Sequence, residues 1–270
     1  MRIDANFVLA VAMLALGNEA LGQTYITPST PGWAFATETP TGSGTFVSGP
    51  GTTPSGSPGS IQLTVGAPGG ELFATQQFGG VALSQIAGLA YNTYVVSSAI
   101  PEAANMQFDF DPGVPLPPPL TPYQGRAVFT PALLNPLVTV GAWQTWNPMT
   151  QKAWWGSGTP AQRLLAQKCT QAAPCTWAQI VGFFPKARIA AGGVYGFKVG
   201  NSNSAAAVSV DSFSMGTAGA AGPVTTYLFS PAAPVAAVAI PALSAATLLT
   251  LVLAIGGAAW LYRSWAVAGG

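Results

Sequence analysis

Short stretches in the middle of the chain alternate between hydrophobic and polar residues. In residues 61–65 every second residue is apolar, and in 106–111 the apolar Met106, Phe108 and Phe110 alternate with polar side chains. This period of two places the apolar residues on one face of an extended strand. Further predicted strands are residues 127–130, 137–140, 194–199, 208–215 and 225–229.

Helical patterns are few. Residues 161–168 and 176–182 predict one or two turns each, with Thr176 as the N-cap of the second. The chain has 32 Gly and 24 Pro, and turn residues separate nearly all of the predicted strands. The pattern predicts a mainly β protein, an antiparallel, jelly-roll-like β-sandwich over residues 61–230.

The segments beside this domain have a different composition. Residues 23–60 are rich in Thr, Pro, Gly and Ser, which predicts a flexible or irregular lead-in. Trp33, Phe35 and Phe46 could still pack on the domain as a first strand. Residues 231–239 form a predicted spacer.

Residues 1–22 have the pattern of a secretory signal peptide. A positive Arg2 precedes the apolar run 7–16, which is too short to span a bilayer. Small residues near its end predict cleavage between Gly22 and Gln23. The alternative is a buried N-terminal helix.

The opposite end predicts a transmembrane helix over residues 240–262. This apolar run carries no charge and would rise about 34 Å as a helix, enough for a hydrocarbon core of about 30 Å. Trp260 and Tyr262 lie at its far end, and Arg263 follows, which favours a cytoplasmic tail over 263–270. The alternative is a central helix of a soluble core.

Residues at the start of this run match a sorting motif. They are Ile240, Pro241, Ala242, Leu243 and Ser244, with Arg263 after the apolar stretch. The arrangement resembles the IPTL-CTERM type of bacterial C-terminal signal, a relative of the PEP-CTERM signals read by exosortases. It departs from that pattern at Ala242, where Thr is expected, and in having Arg263 instead of a basic cluster. The resemblance implies an exported protein of the bacterial cell envelope or cell surface, membrane-anchored at least before processing. An exosortase-type enzyme is the implied partner, and the departures leave a permanently retained anchor as the alternative.

Charge and residue usage exclude several classes of function. Only 6% of residues are charged, and the net charge is +1, so the chain has no electrostatic footprint for nucleic acid. The chain has no His, which removes Ser-His and Cys-His nucleophile systems. Cys169 and Cys175 fit no zinc template, and in an exported chain they predict a disulfide.

A second resemblance covers much of the predicted sandwich. It is carried by residues 108–112, 123–131, 143–146, 154–155, 176–180, 184–189, 199–201, 210–213 and 225–229. Their order resembles secreted and cell-surface bacterial proteins with jelly-roll, carbohydrate-binding-module-like domains. The resemblance implies a fold and a compartment, without an established activity.

Three aspartates form a candidate metal site. Asp109 and Asp111 lie on one predicted strand face, and Asp211 lies on a late strand. With backbone carbonyls these carboxylates could hold a structural Ca²⁺, and no other cofactor is expected. The alternatives are a solvated face for Asp109 and Asp111, and a loop-fixing role for Asp211 through hydrogen bonds to backbone N–H groups.

Four of the eight tryptophans fall within fifteen residues. A turn signal at Asn147 predicts a hairpin, and alternation then divides the tryptophans between two strand faces. An exposed indole stacks on a sugar ring, whereas a buried one fills the core. The candidate ligand-binding residues are Trp143, Gln144, Trp146, Asn147, Trp154 and Trp155.

The combined prediction is an exported envelope protein with a structural, adhesive or matrix role. An extracellular polysaccharide is the candidate ligand, and the membrane is contacted through the C-terminal helix. The alternative function is a glycan-active enzyme that uses paired carboxylates. Against an enzyme, the six acids of the exported part form no E-x-D-x-E-like motif.

Overall fold

The computed structural model describes residues 22–100, 102–116, 118, 120, 123–134, 138–200, 204–217 and 224–232. The strands in these residues are β1 Gln23–Ile26, β2 Trp33–Thr37, β3 Gly42–Val47, β4 Ser60–Val65, β5 Gly70–Thr75, β6 Gly88–Ser98, β7 Asn105–Asp111, β8 Arg126–Phe129, β9 Trp143–Trp146, β10 Trp154–Gly156, β11 Arg188–Ile189, β12 Tyr195–Gly200, β13 Ala206–Gly216 and β14 Val224–Phe229. The helices are α1 Leu164–Lys168 and α2 Trp177–Phe183. Short 3₁₀ turns occur at Leu83–Gln85 and Pro131–Leu133.

The strands form two sheets packed face to face. Sheet 1 contains β1, β3, β4, β6, β9, β13 and β14, and sheet 2 contains β2, β5, β7, β8, β10, β11 and β12. Strand pairs within the sheets are antiparallel apart from β1 with β14, which is parallel. The prediction of a mainly β, two-sheet sandwich is confirmed.

Strand β13 is the centre of sheet 1. One edge pairs with β6, while the other pairs first with β4 and then with β14. The change of partner coincides with an irregularity at Asp211 and Ser212, where Ser212 has a φ of 57°. At this irregularity the Asp211 side chain replaces a backbone acceptor, since its Oδ1 accepts from Phe229 N of β14 at 3.0 Å.

Aromatic side chains from both sheets fill the core. Phe197 of sheet 2 packs against Tyr91 and Phe213 of sheet 1, with ring centroids 5.3 and 5.5 Å apart. Contacts at these separations add to the stabilisation that comes from removing apolar area from water. The largest fully buried side chains include Trp154, Tyr91, Tyr195, Phe73, Phe108, Phe129, Phe197, Phe213 and Phe229.

Residues 23–47 are not the flexible or irregular lead-in that was predicted; the alternative, that the aromatic residues of this segment pack on the domain as strand, is observed. Strands β1 and β3 belong to sheet 1, and β2 belongs to sheet 2. Trp33 is buried, and its ring stacks on Phe73 with centroids 5.2 Å apart. The few aromatic residues of this segment therefore anchor it, although most of its residues are polar or small.

The predicted tryptophan hairpin is also wrong. Strand β9 pairs with β6 in sheet 1, whereas β10 pairs with β8 in sheet 2. The turn after Asn147 does reverse the chain, with Thr150 N donating to Asn147 O at 3.2 Å. It connects the two sheets instead of two neighbouring strands.

The short helices support the sandwich from the side. Thr176 caps α2 as predicted, with a capping box to Gln179. The helix begins with Trp177, whose ring lies 5.2 Å from Trp154 and 6.1 Å from Phe108. No helix in the described part of the chain is long and apolar enough to cross a membrane. The predicted transmembrane helix at 240–262, the sorting motif and Arg263 lie outside the described residues, as does the predicted signal peptide before Gly22.

The observed strands include most of the predicted ones. The exception is 137–140, where Val140 forms only an isolated bridge with Val95 and residue 137 is not described. Strands β5 and β6 were not predicted. All six residues of β5 are buried, and in β6 three consecutive residues, Tyr91 to Thr93, are buried. Neither sequence alternates, because both strands contain consecutive apolar residues, such as Leu72 to Ala74 and Leu89 to Tyr91.

Candidate ligand-binding site

Two of the four clustered tryptophans belong to the core. Trp154 is fully buried and Trp146 is 4% exposed. Their indole N–H groups are satisfied internally: Trp146 Nε1 donates to Thr93 Oγ1 and Trp154 Nε1 to Pro148 O, each at 2.7 Å. These two residues are therefore core residues and are not ligand contacts.

The other two, Trp143 and Trp155, are half-buried and lie on the outer faces of different sheets. The predicted polar companions are engaged as well. Gln144 Oε1 accepts from Thr139 N at 2.6 Å, and Asn147 Oδ1 accepts from Met149 N at 3.1 Å. The six candidate ligand-binding residues therefore do not form one site.

The outer face of sheet 1 is covered next to Trp143 by the loop of residues 48–59. Trp143 Nε1 donates to Pro50 O at 2.8 Å. Ser55 Oγ donates to Asp211 Oδ2 at 2.8 Å, and Ser60 Oγ donates to Gly49 O. Asp211 thus contacts this loop through the Ser55 hydroxyl, whereas its backbone partner, Phe229 N, lies in β14 and not in a loop as expected. Burial raises the pKa of Asp211 above its ordinary value, although the hydrogen bonds from Ser212, Ser55 and Phe229 oppose that rise.

The outer face of sheet 2 carries Trp155, and most of the residues between Trp155 and β2 on this face are buried. Pairing registers place one row of residues across this face, namely Trp155, Val128, Gln107, Gly196, Ala74 and Ala34. Trp155 Nε1 donates to Thr130 Oγ1 at 2.9 Å, which fixes the ring. Trp155 also lines a cleft of about 190 Å³ together with Thr170 and Gln171.

An apolar trough lies at the other end of this row. It has a volume of about 590 Å³ and is lined in part by Ala34, Ala36, Leu72, Ala74 and Val194. The surface of β2 and β5 is recessed here because Ala34, Ala36 and Ala74 have small side chains. The volume is within the range of small-ligand sites, about 300 to 1,000 Å³.

An ionic bridge spans the same face between the trough and β8. Glu38 Oε1 accepts from Arg126 Nη1 at 2.7 Å, and Glu38 Oε2 accepts from Lys198 Nζ. Burial raises the pKa of Glu38, but the hydrogen bonds from Lys198 and Arg126 outweigh it, so the net pKa is lowered. Burial lowers the pKa of Arg126, and the bond to Glu38 outweighs that effect, so its net pKa is raised. Glu38 and Arg126 are therefore both charged at neutral pH.

Two amide side chains on the outer face of β7 have unused hydrogen-bonding atoms. Gln107 is 3% exposed, and its Nε2 has no partner among the described residues. The buried Oδ1 of Asn105 is also without a partner there. Buried polar atoms are rarely left unpaired, so a donor and an acceptor remain for enclosed water beneath this face.

Asp109 and Asp111 lie on this face as predicted, but both are held by arginines. Asp109 Oδ1 accepts from Arg126 Nε at 3.2 Å, and Asp111 Oδ2 accepts from Arg188 Nε at 2.7 Å. Burial raises the pKa of Asp111, but the hydrogen bonds from Gly113 and Arg188 lower it below its ordinary value. Asp211 belongs to the other sheet. No three His, Cys, Asp or Glu side chains in the described ranges come together as metal ligands, so the predicted calcium set is not assembled.

The predicted disulfide is confirmed. Cys169 and Cys175 are bonded, with their Cα atoms 5.4 Å apart. The closed loop contains Thr170 and Gln171, so the disulfide fixes one wall of the Trp155 cleft.

Sequence reasoning missed most of the sheet 2 surface. Gln107 was visible only as a polar residue of the alternating stretch 106–111. The trough residues lie on β2 and β5, of which β5 was not predicted. Nothing in the sequence linked Glu38 to Arg126 and Lys198, because 88 and 160 positions separate the partners.

Comparison with known proteins gives no family assignment. No protein-family model matches the chain, and no curated protein matches it. Two solved structures of family 11 carbohydrate-binding modules from Clostridium thermocellum superpose on 69% of this chain and on 88% and 89% of their own, with TM-scores of 0.38 and identities of 9% and 10%. One is the module of a cellulosomal cellulase, and the other is in complex with a β-1,3-1,4-mixed-linked tetrasaccharide. At these values the similarity does not assign the chain to that family.

Proposed function

We propose that the sandwich domain binds an extracellular polysaccharide on the outer face of sheet 2. The observation that carries this proposal is the row from Trp155 through Gln107 to the apolar trough. The row combines the indole of Trp155, the buried amide N–H of Gln107 without a described partner, and the recessed apolar surface of the trough. Sugars present apolar ring faces and hydroxyl edges, so they need both kinds of contact.

The geometry suits an extended chain. From β10 to β2 the face crosses five interstrand spacings, or roughly 24 Å. A polysaccharide lying across the strands would contact Trp155 at one end and the trough at the other. The bridge of Arg126, Glu38 and Lys198 supplies charged donors and an acceptor between them. Binding by stacking and hydrogen bonding needs no cofactor.

We propose a non-catalytic role for the domain. The two carboxylates on this face, Asp109 and Asp111, leave the same strand in the same direction, and each is paired with an arginine. An acid and a base acting on a glycosidic bond lie on opposite sides of it. The arrangement therefore favours binding over hydrolysis.

The protein's place in the cell is part of the proposal and is supported by the sequence. Cleavage between Gly22 and Gln23 would retain the whole of β1, which begins at Gln23. The apolar run 240–262 and its sorting motif would anchor the chain in the membrane, or deliver it to an exosortase-type enzyme. The resulting jelly-roll-like domain would act as a structural or adhesive component of the envelope or matrix. Intact mass and membrane fractionation of the native protein test both cleavages.

A glycan array tests the binding function. The full-length protein should give signals with a limited set of polysaccharides, and the array should include neutral and uronic acid polymers. Flat signals across the array would contradict polysaccharide binding and leave a purely structural role.

A further inference from the structure

The proposed cleavage of the exported chain would create a new first residue, Gln23. This glutamine is exposed and begins β1, which is the last strand at one end of sheet 1. Strand β1 pairs in parallel with β14, and Gln23 lies in register with Thr226. A Cβ built on Gly22 would meet no atom within 4 Å, so the space beside the bond to be cut is open.

The strand pairing shows which way the backbone nitrogen of Gln23 points. Thr226 N donates to Gly22 O at 2.9 Å. In a parallel ladder, a residue bonds to the two residues that flank its register partner, and the N–H of that partner points to the other side. Gln23 N therefore points away from β14. Because β14 is the only described strand that pairs with β1, both the nitrogen and the exposed side chain of Gln23 lie at the edge of the sheet.

Cleavage after Gly22 changes the hydrogen bonding at this end of β1. Gly22 O leaves with the removed segment, so Thr226 N loses its acceptor. Thr226 is half-buried, and an N–H that is partly removed from water without an acceptor is destabilising. The new α-amino group is mostly protonated at neutral pH and adds further donors beside that N–H. A neutral terminus would avoid the added charge.

We propose that Gln23 of the exported chain cyclises to pyroglutamate, an inference that rests on the proposed cleavage between Gly22 and Gln23. The lone pair of the unprotonated α-amino nitrogen attacks the side-chain amide carbon Cδ, so that a new C–N bond forms and the Cδ–Nε2 bond breaks. Nε2 takes up the proton that the attacking nitrogen loses and leaves as ammonia. No oxidant, reductant or other reactant is consumed. The product is a five-membered lactam without the terminal charge.

The length of the glutamine side chain provides a matched control. Asparagine at the same position keeps the amide but would have to close a strained four-membered ring, so it does not react in this way. Gln23→Asn also leaves unchanged the small residues before the cut, on which the predicted cleavage depends. The variant therefore separates cyclisation from export.

The test is mass spectrometry of the N-terminal proteolytic peptide from freshly isolated protein, expressed as the full-length chain so that it passes through export. The wild-type peptide should begin at Gln23 and be lighter by one ammonia than the same peptide with a free glutamine. Pyroglutamyl aminopeptidase should remove that residue and expose Thr24. The peptide of Gln23→Asn should begin at the same position, with its full mass and a free amine.

The possible results separate this proposal from the cleavage itself. A wild-type peptide that begins at Gln23 with a free amine would overturn the proposal and leave the cleavage intact. A chain that retains Gly22, or that begins at another residue, would overturn both. Loss of ammonia from the Gln23→Asn peptide would assign the mass change to a different amide and would also overturn the proposal. If Gln23→Asn is not exported, the wild-type peptide and its digestion still decide the question.

Discussion

The outer faces of the two sheets each carry one half-buried tryptophan, but their surroundings differ. On sheet 1, the loop 48–59 lies beside Trp143 and accepts its indole N–H at Pro50. On sheet 2, the N–H of Trp155 is bonded within its own sheet, to Thr130, and the ring lines an open cleft. The same residue type is thus part of a loop contact on one face and part of the proposed ligand surface on the other.

This comparison shows that exposure of an aromatic residue is not enough to define a site. The polar neighbour of Trp143, Thr145, donates to Asn92 Oδ1 at 2.6 Å. Trp155 lies in register with Gln107, whose amide N–H is unused. An unpaired polar atom, Ser209 Oγ, also lies in register with Trp143, so it is the contact with the loop 48–59 that distinguishes the two faces.

The largest expected effect separates core from surface within one strand. Trp154→Ala should lower the free energy of unfolding by about 3 to 5 kcal/mol, because it leaves a cavity among Phe108, Phe129 and Trp177. The neighbouring Trp155→Ala should cost less than half as much, since its ring is half-buried. Urea unfolding of both variants measures the difference, and equal losses would contradict the assignment of the two faces.

The disulfide should have the next largest effect. Replacing Cys169 and Cys175 together by Ala should lower the free energy of unfolding by roughly 2 to 3 kcal/mol, the amount expected from loop-closure entropy for so short a loop. The change should also loosen the Thr170–Gln171 wall of the Trp155 cleft. Unfolding curves of the double variant check the first effect, and the part of the fluorescence quenching that is lost on Trp155→Phe, compared with and without the disulfide, checks the second. Unchanged quenching would mean that the loop does not shape the cleft.

A substitution on sheet 1 tests whether the Asp211 carboxylate holds the loop 48–59 against the outer face of that sheet. Asp211→Ala should cost about 1 to 3 kcal/mol, because it leaves the buried N–H of Phe229 without its acceptor. Proteolysis within the loop 48–59 should become faster, while polysaccharide binding on sheet 2 stays unchanged. Asp111→Ala is the control on the outer face of sheet 2 and should leave the loop protected. Equal protease resistance in Asp211→Ala and the wild type would contradict the loop-fixing role.

The smallest effect concerns the ionic bridge on sheet 2. The pKa of Glu38 is lowered from 4.5, so its pairing stabilises the fold above that pH and the contribution is lost as the pH falls through the lower folded pKa. The amount should stay below about 1 kcal/mol, because the group is partly solvated. Asp211 has a raised pKa, so its ionisation lowers the stability of the fold as the pH rises, which is opposite to the effect of Glu38. Unfolding of the wild type and of Glu38→Gln between pH 3 and 6 measures this pH-dependent contribution to the free energy of unfolding. The contribution of Glu38 should be missing from the variant. Identical pH profiles would contradict it.

Patterns in the sequence predicted the elements whose residues alternate or that carry a clear end signal. Strands β4 and β7 alternate because one side faces the core, and α2 was predicted from its N-cap. Strand β5 was missed because Leu72, Phe73 and Ala74 are consecutive apolar residues, whereas β13, which is buried on both faces, keeps an alternating sequence and was predicted. The tryptophan segment was assigned to a hairpin because a turn signal specifies a chain reversal but not the sheet that the chain enters next.

The candidate site was only partly predictable for the same reason. Alternation correctly divided Trp154 from Trp155, and Trp143 from Trp146, since that division depends on local geometry alone. Which of each pair faces outwards depends on the packing of distant strands. The trough and the ionic bridge depend on contacts between β2, β5, β8 and β12, and those contacts carry no local signal.

The most direct test of the central claim is the affinity of the full-length protein for a polysaccharide selected on the array. Calorimetry should show binding by Trp155→Ala weakened about tenfold, equivalent to about 1.4 kcal/mol, while Trp143→Ala stays within about twofold of the wild type. Loss of binding in Trp143→Ala with Trp155→Ala unchanged would contradict the account and move the ligand to sheet 1.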